Sequence, residues 1–422
     1  MAFNTLGYFL FLPLTLVAYY RLPARFQNAG LLVASLLFYL FSAPKMLLVL
    51  LFGTLVTWRS ALFCAGAETE RTKKRAACVG IVLLAALLAF FKYFNFFSPL
   101  LCRIFGVAYE REPFLLAFPL GISFYTFTAI AYLADVSGGK VTVRKSFFDV
   151  LLFLSFFGTV SSGPILRATD FFGEIEHPRR FDAGATTLAL ANIGLGLFYK
   201  VAISDVLGIY VNAVYDNLHA YSGLTLSAAT LGFSAQLFFD FAGYSLLALG
   251  TAGLLGIRVT RNFNAPYFSR SLKEFWSRWH ISLSSWLRDY IYIPLGGNRH
   301  RTLCKYRNHV LTFVISGIWH GAGLSFILWG LLHGVLQVLG ELLQPARSAC
   351  LSKLHLSRRS RFVLLMQWLS TAFMVNELWI FFRADTISDA LYLLQHQFFN
   401  LSLSTFYNET LAVLSSAFNP LR

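Results

Sequence analysis

The feature that most constrains this chain recurs along it. Apolar runs about as long as a bilayer is thick alternate with short loops rich in Lys and Arg. Ala76 to Phe97 is one such run, with Lys92 as its single charge. A hydrocarbon core of about 30 Å takes about 20 residues of helix, and the chain offers roughly ten segments of that kind, some too short to cross. Lipid leaves no partner for an open backbone amide, so long apolar runs of this sort fold as helices. With 57% of residues hydrophobic and 13% charged, an ordinary soluble domain is excluded. The expected fold is an all-α polytopic membrane protein, with residues 1–422 forming a single membrane-embedded domain.

Charge then orders the runs. The net charge of +15 has two compatible readings: Lys and Arg hold loops on the cytoplasmic side, or part of the excess receives an anionic substrate. Leu6 to Tyr20 reads as a first span, not a removed signal peptide, since no basic region precedes it. Arg21 and Arg25 place the loop after it inside. Leu31 to Ala43 and Met46 to Phe63 form a return pair, and Glu68 to Arg75 (ETERTKKR) is a basic inner loop. Ala76 to Phe97 leads out and Phe114 to Asp135 back in. Phe147 to Gly163 breaks the parity, because basic loops flank it on both sides, and it ends in Gly163-Pro164. A re-entrant hairpin resolves the conflict. Leu188 to Val211 goes out and Leu224 to Gly256 returns. Residues 257–309 are the most basic part and read as a cytoplasmic or interfacial segment. Phe362 to Phe382 crosses outward, and Ser388 to Phe418 is a weaker apolar tail.

Within this frame one stretch is out of character. Val314 to Gly334 reads VISGIWHGAGLSFILWGLLHG, with His320 between Trp319 and Gly321. An ionisable group in such a run faces a cavity or a bundle interior and marks function. The basic segments on either side must both lie inside, and Val310 to Leu342 is too long for one span and too short for two. A broken hairpin fits, with arms climbing about 15 Å and His320 at the tip near the midplane. Neutral imidazole takes a proton from a hydroxyl at neutral pH, so His320 is the candidate general base. The plain alternative is a buried histidine bonded to a carbonyl. His333, on another face of a straight helix, reads as packing.

Two further constellations carry polar groups. Arg270 to Tyr290 (RSLKEFWSRWHISLSSWLRDY) follows the 3.6-residue period, with Leu272, Phe275, Trp276, Trp279, Leu283, Trp286 and Tyr290 on one face. Lys273, Ser277, His280, Ser284 and Arg288 share the other. This is an interfacial amphipathic helix, and its polar face also suits a phosphate-bearing donor, which Arg and Lys match. Lys273, Arg278, Arg288 and Arg299 are the candidate donor-binding residues. Tyr292 to Arg299 (YIPLGGNR) is a turn that ends the helix. In QLFFDFAGYS, Gln236, Asp240 and Tyr244 form an i, i+4, i+8 stripe inside an apolar span. Asp240 orients a histidine, answers an arginine or locks helices together. Lys200 and Arg383 read as snorkelling cations.

Cys64, Cys78, Cys102, Cys304 and Cys350 are scattered, without disulfide or metal-ligand spacing. The chain lacks GxxxxGK[ST], HExxH and GxSxG. Nothing points to a metal, a bound cofactor or a nucleic acid.

Six stretches taken in order resemble the membrane-bound O-acyltransferases, in particular the bacterial alginate O-acetylation branch. They are PLGISFYTFTAIAYLADV (Pro119 to Val136), SGPILR (Ser162 to Arg167), QLFFDFAGYSLLALG (Gln236 to Gly250), the long run from Asn262 to Arg299, SGIWHGAGLSFILWGLLHG (Ser316 to Gly334) and WIFFRA (Trp379 to Ala384). FFDFAGYS and FWSRWHISLS are also similar to the D-alanyl transferases of teichoic acid, while the intact IPLGGNR favours the polysaccharide branch. The resemblance implies a ring of tilted transmembrane and re-entrant helices around a central tunnel. It carries the family's invariant histidine onto His320 and its second onto His280. Asp240, Trp319 and Tyr244 stand as supporting residues.

The implied reaction takes an acyl group, acetyl by the resemblance, from a cytoplasmic thioester such as acetyl-CoA. It crosses the inner membrane of a bacterium for O-acetylation of an exported polysaccharide such as alginate, directly or through a periplasmic or extracellular acyl-accepting partner protein. D-alanyl transfer to teichoic acid is the alternative within the enzyme class. A transporter or export channel is the alternative outside it, though such folds carry repeats in their hydropathy and none is visible here.

Overall fold

The computed structural model describes residues 3–106, 117–299 and 301–418. Among these residues every regular element is helical. Seven helical stretches are long and apolar enough to cross a membrane, and Leu6–Arg21 is a shorter apolar helix. The described residues pack as two compact units, 1–197 with 244–261 and 198–243 with 262–422.

The first unit contains α1 (Leu6–Arg21), α2 (Gln27–Ser42), α3 (Leu47–Ala65), α4 (Glu70–Ile104), α5 (Ile122–Ser137), α6 (Phe147–Ser155), α7 (Ala168–Glu176) and α8 (Ala183–Leu197). The expected start of the fifth run, Phe114, lies outside the described residues. The basic stretch 68–75 is not the loop expected of it. Thr69 accepts a hydrogen bond from the Thr72 amide at 3.2 Å and starts α4 at Glu70. Charge placed that stretch on one side of the membrane, but Lys, Arg and Glu are good helix formers and do not end a helix. The 147–163 run forms no helix long enough to cross a membrane. Helix α6 has nine residues, about 14 Å, and a buried turn follows it. The Phe157 amide in that turn donates to Ser35 Oγ at 3.2 Å. Gly121, at φ 68°, lies so close to the turn that a β-carbon would meet the Val160 carbonyl oxygen at 1.9 Å. Only glycine fits there.

The second unit continues with α9 (Asp205–Tyr215) and α10 (Gly223–Leu254), whose C-terminal part belongs to the first unit. It goes on through α11 (Leu272–Arg278), α12 (Ile281–Leu287), α13 (Thr302–His320), α14 (Leu324–Leu342), α15 (Gln344–Lys353) and α16 (Arg361–Arg383). It ends with α17 (Ile387–His396) and α18 (Leu403–Phe418), where charge gave the tail no assignment. The single amphipathic helix expected over 270–290 is broken in two. His280 takes the left-handed conformation at φ 44°, which stops the α-helical ladder between α11 and α12. Its aromatic face is covered by protein: Phe275, Trp276 and Trp279 are buried in the unit's core with Trp329 and Trp379.

Candidate active site

The site is built on a helical hairpin. Helices α13 and α14 are joined by Gly321–Gly323 and touch backbone to backbone. A β-carbon at Gly317 would lie 2.2 Å from the Phe326 carbonyl oxygen, and one at Gly330 2.3 Å from that of Phe313. Helices can approach this closely only where side chains are absent. At the open end Lys305 pairs with Glu341, and the Asn308 amide donates to the Leu295 carbonyl at 2.9 Å, fixing the 293–299 turn against the first arm. The hairpin and its tip histidine are as the spacing predicted. Its depth is not, because each arm has 19 residues, about 28 Å. The second arm is long enough to cross alone, so the half-depth arms do not hold.

His320 is the last residue of α13 and is half-buried. Its ring meets Trp319 at 4.5 Å, Phe382 at 5.0 Å and Trp329 at 5.1 Å, edge to face in each case. Trp329 is fully buried and stacks on Trp379 at 5.7 Å. Three helices therefore shape the surroundings of one imidazole. Neither Phe382 nor Trp329 stands out from its apolar segment in the sequence. A hairpin register is what brings Trp329 back beside His320, and a one-dimensional period does not contain it.

Trp319 also faces His280, at 6.4 Å. The strained backbone of His280 is held from both sides. The Ile281 amide donates to the Asn262 carbonyl at 2.9 Å, and Ser282 Oγ donates to Asn262 Oδ1 at 2.7 Å. The His280 ring packs on Phe241 at 4.5 Å and is 3% exposed. It does not share the exposed polar face with Lys273 and Arg288. His280 lies outside the spanning segments, and burial pushes its pKa down to about 3, so the ring is neutral at physiological pH. Among the described residues Nδ1 has no hydrogen-bond partner. His333 is fully buried and accepts from Trp276 Nε1 at 3.2 Å, in line with its reading as packing.

Asp240 is paired with Lys200 at 2.6 Å, and Lys200 also reaches Asp205 at 2.6 Å. Of its three readings the structure realises helix locking, with a lysine in place of the arginine. Lys200, expected to snorkel, instead sits in a π-helical turn, Phe198–Ser204, and bridges two carboxylates. Arg383 is likewise engaged, with Asn212 Oδ1 at 3.1 Å. Tyr244 lies one turn beyond Asp240 on α10, in the part that packs with the first unit.

The four donor-binding candidates divide. Arg278 pairs with Glu274 at 2.7 Å and Arg288 with Asp289 at 2.8 Å. Lys273 and Arg299 are exposed, and neither forms an ion pair among the described residues.

Comparison with known proteins places this site in context. The model of the membrane-bound O-acyltransferase family matches residues 87–382. The chain is 36% identical over 393 residues to the probable alginate O-acetylase AlgI of Pseudomonas aeruginosa, covering 90% of this chain and 72% of that protein. It is 34% identical over 429 residues to the peptidoglycan O-acetyltransferase of Helicobacter pylori, covering 94% and 79%. A teichoic acid D-alanyltransferase of Bacillus subtilis is 33% identical over 229 residues, 51% of this chain and 57% of that protein. The chain belongs to the membrane-bound O-acyltransferase family and is a multi-pass membrane acyltransferase.

Proposed function

We propose that this acyltransferase moves an acetyl group from a cytoplasmic thioester, acetyl-CoA or an equivalent carrier, to hydroxyls of an exported polysaccharide. The acceptor is reached directly or through a periplasmic or extracellular partner, across the inner membrane of a bacterium. The observation that carries the reading is His320, an accessible imidazole at the tip of a rigid hairpin. The relatives named for alginate and peptidoglycan O-acetylation support the acetyl group and the polymer, since each matches at least 90% of this chain. The D-alanyltransferase matches about half.

In this reading His320 takes the proton of the acceptor hydroxyl while that oxygen attacks the thioester carbonyl carbon. The carbon–sulfur bond then breaks, and the imidazolium returns the proton to the departing thiolate. Trp319, Trp329 and Phe382 fix the plane of the ring, and a fixed plane is what makes proton transfer directional. Trp319 links it to neutral His280, which packs behind that ring. Lys273 and Arg299 receive the donor's phosphates. The reaction requires a path between the two faces of the membrane, which a central tunnel within the helices provides.

His320→Ala tests the assignment, with acetyl transfer followed in membranes using labelled acetyl-CoA and folding checked by thermal unfolding in detergent. Loss of a general base costs ~10²–10⁴-fold in rate, so transfer falls by at least about a hundredfold with the protein still folded. Transfer retained within tenfold of wild type removes His320 from the reaction. Incorporation of D-alanine in place of acetate moves the protein to the alternative.

A further inference from the structure

Helices α3 and α4 pack as an antiparallel pair on a floor of small side chains. At Gly80 a β-carbon would lie 2.4 Å from Ser60 Oγ. The outer side of the pair is a groove of about 520 Å³. Its length is apolar, formed by Leu55, Phe63, Val79 and Leu83, all exposed. Both helices are long and apolar enough to span a membrane, so these residues face lipid.

Set into this apolar wall are two guanidinium groups, Arg59 and Arg75. Among the described residues neither pairs with a carboxylate, and Glu70 at the start of α4 is turned to Lys73 at 3.7 Å. The Arg59 guanidinium lies over the Trp58 ring at 5.1 Å, which keeps it against the protein. The hydroxyls of Ser60 and Thr72 line the same groove. Cations on a lipid-facing surface require a counter-charge or water. Two forked donors with hydroxyls beside them match phosphate oxygens, and the apolar length next to them matches an acyl chain.

We propose that the α3–α4 groove holds one anionic glycerophospholipid, its phosphate between Arg59 and Arg75 and an acyl chain along Leu55, Val79 and Leu83. The basic start of α4 belongs on the cytoplasmic side by the charge rule, and basic pockets between helices on that side bind anionic headgroups. The site uses none of the acyl-transfer residues and does not depend on which acyl group is moved. It is a structural lipid site in the first unit.

The test uses the full-length protein in mixed phosphatidylglycerol and phosphatidylcholine nanodiscs, extracted into detergent and read by native mass spectrometry. Wild type retains one phosphatidylglycerol in preference to phosphatidylcholine, and added phosphatidylglycerol raises its unfolding midpoint. Arg59→Gln with Arg75→Gln lowers that occupancy at least tenfold and abolishes the rise. The control, Arg71→Gln with Lys74→Gln, removes the same charge outside the groove and leaves occupancy unchanged. Equal retention of the two lipids by wild type, or equal loss in both double variants, overturns the proposal. Displacement of the bound lipid by millimolar glycerol phosphate alone overturns the acyl-chain half of it and leaves a phosphate site.

Discussion

Gly330→Ala should act on chemistry through geometry alone. Gly330 touches no substrate group; it is where α14 presses on α13. The added methyl would lie 2.3 Å from the Phe313 carbonyl oxygen and 3.2 Å from the Gly317 α-carbon, against an ordinary contact of 3.4 Å or more. Both obstacles are helix backbone, so no side chain can swing away, and the arms must separate by about 1 Å. Overpacking of this kind costs ~1–3 kcal/mol. Gly317 is one turn from His320, so the separation is delivered to the imidazole and its aromatic neighbours. A misplacement of about 1 Å at a catalytic group costs ~10²-fold. The expected result is a lower unfolding midpoint in detergent together with a roughly hundredfold fall in acyl transfer. Gly340→Ala is the internal control, because it lies on the same helix and a β-carbon there meets nothing within 4 Å. It should leave activity unchanged and cost no stability, since alanine is the better helix former. If the two variants behave alike, backbone contact in the hairpin does not set the position of His320.

The remaining expectations concern the polar residues around that hairpin. Lys200→Met removes the cation from Asp240, and Asp240→Asn removes one of the two carboxylates that Lys200 bridges. The Asp240 side chain is 39% exposed, so screening reduces the loss to about 1–2 kcal/mol per single change. The double variant should recover part of it in a thermal-unfolding cycle, and strict additivity would mean that the pair is not coupled. His280→Asn keeps a residue that tolerates the left-handed backbone while removing the titration. Because burial lowers the folded-state pKa from 6.5 to about 3, the unfolded chain binds the proton first. Wild type therefore loses stability as pH falls from about 6.5 towards 3, by up to ~1.4 kcal/mol per unit. The variant should show a shallower acid limb, and superimposable limbs would refute the buried neutral ring.

What could be read from the residues follows from what kind of information they hold. Apolar length is local, so α2, α3, α4 and α10 were visible as runs, and the charge conflict around 147–163 foretold a segment too short to cross. Side-of-membrane information was mistaken for secondary structure at 68–75, where charges sit inside the first turns of α4. Periodicity cannot see a single residue that leaves the helix. The 3.6 pattern ran unbroken through His280 because two seven-residue helices happen to keep it in phase. Pairing across the fold was hidden altogether. Lys200 and Asp240 are forty positions apart, and nothing local to either residue names the other.

Three histidines of the second unit, His280, His320 and His333, differ most in what they leave open. His333 has Nδ1 engaged by Trp276 and no exposed surface. His280 is neutral and 3% exposed, its backbone strained by its own conformation. His320 stands at a helix end, half-buried, with aromatic neighbours on three sides. A general base must be held firmly enough to aim and be open enough to receive a proton from a bound hydroxyl. Burial alone gives the first property and removes the second, which is why the two more buried histidines suit positioning and packing. The glycines of the hairpin let His320 have both, because they bring the arms into contact behind the ring and end the helix in front of it.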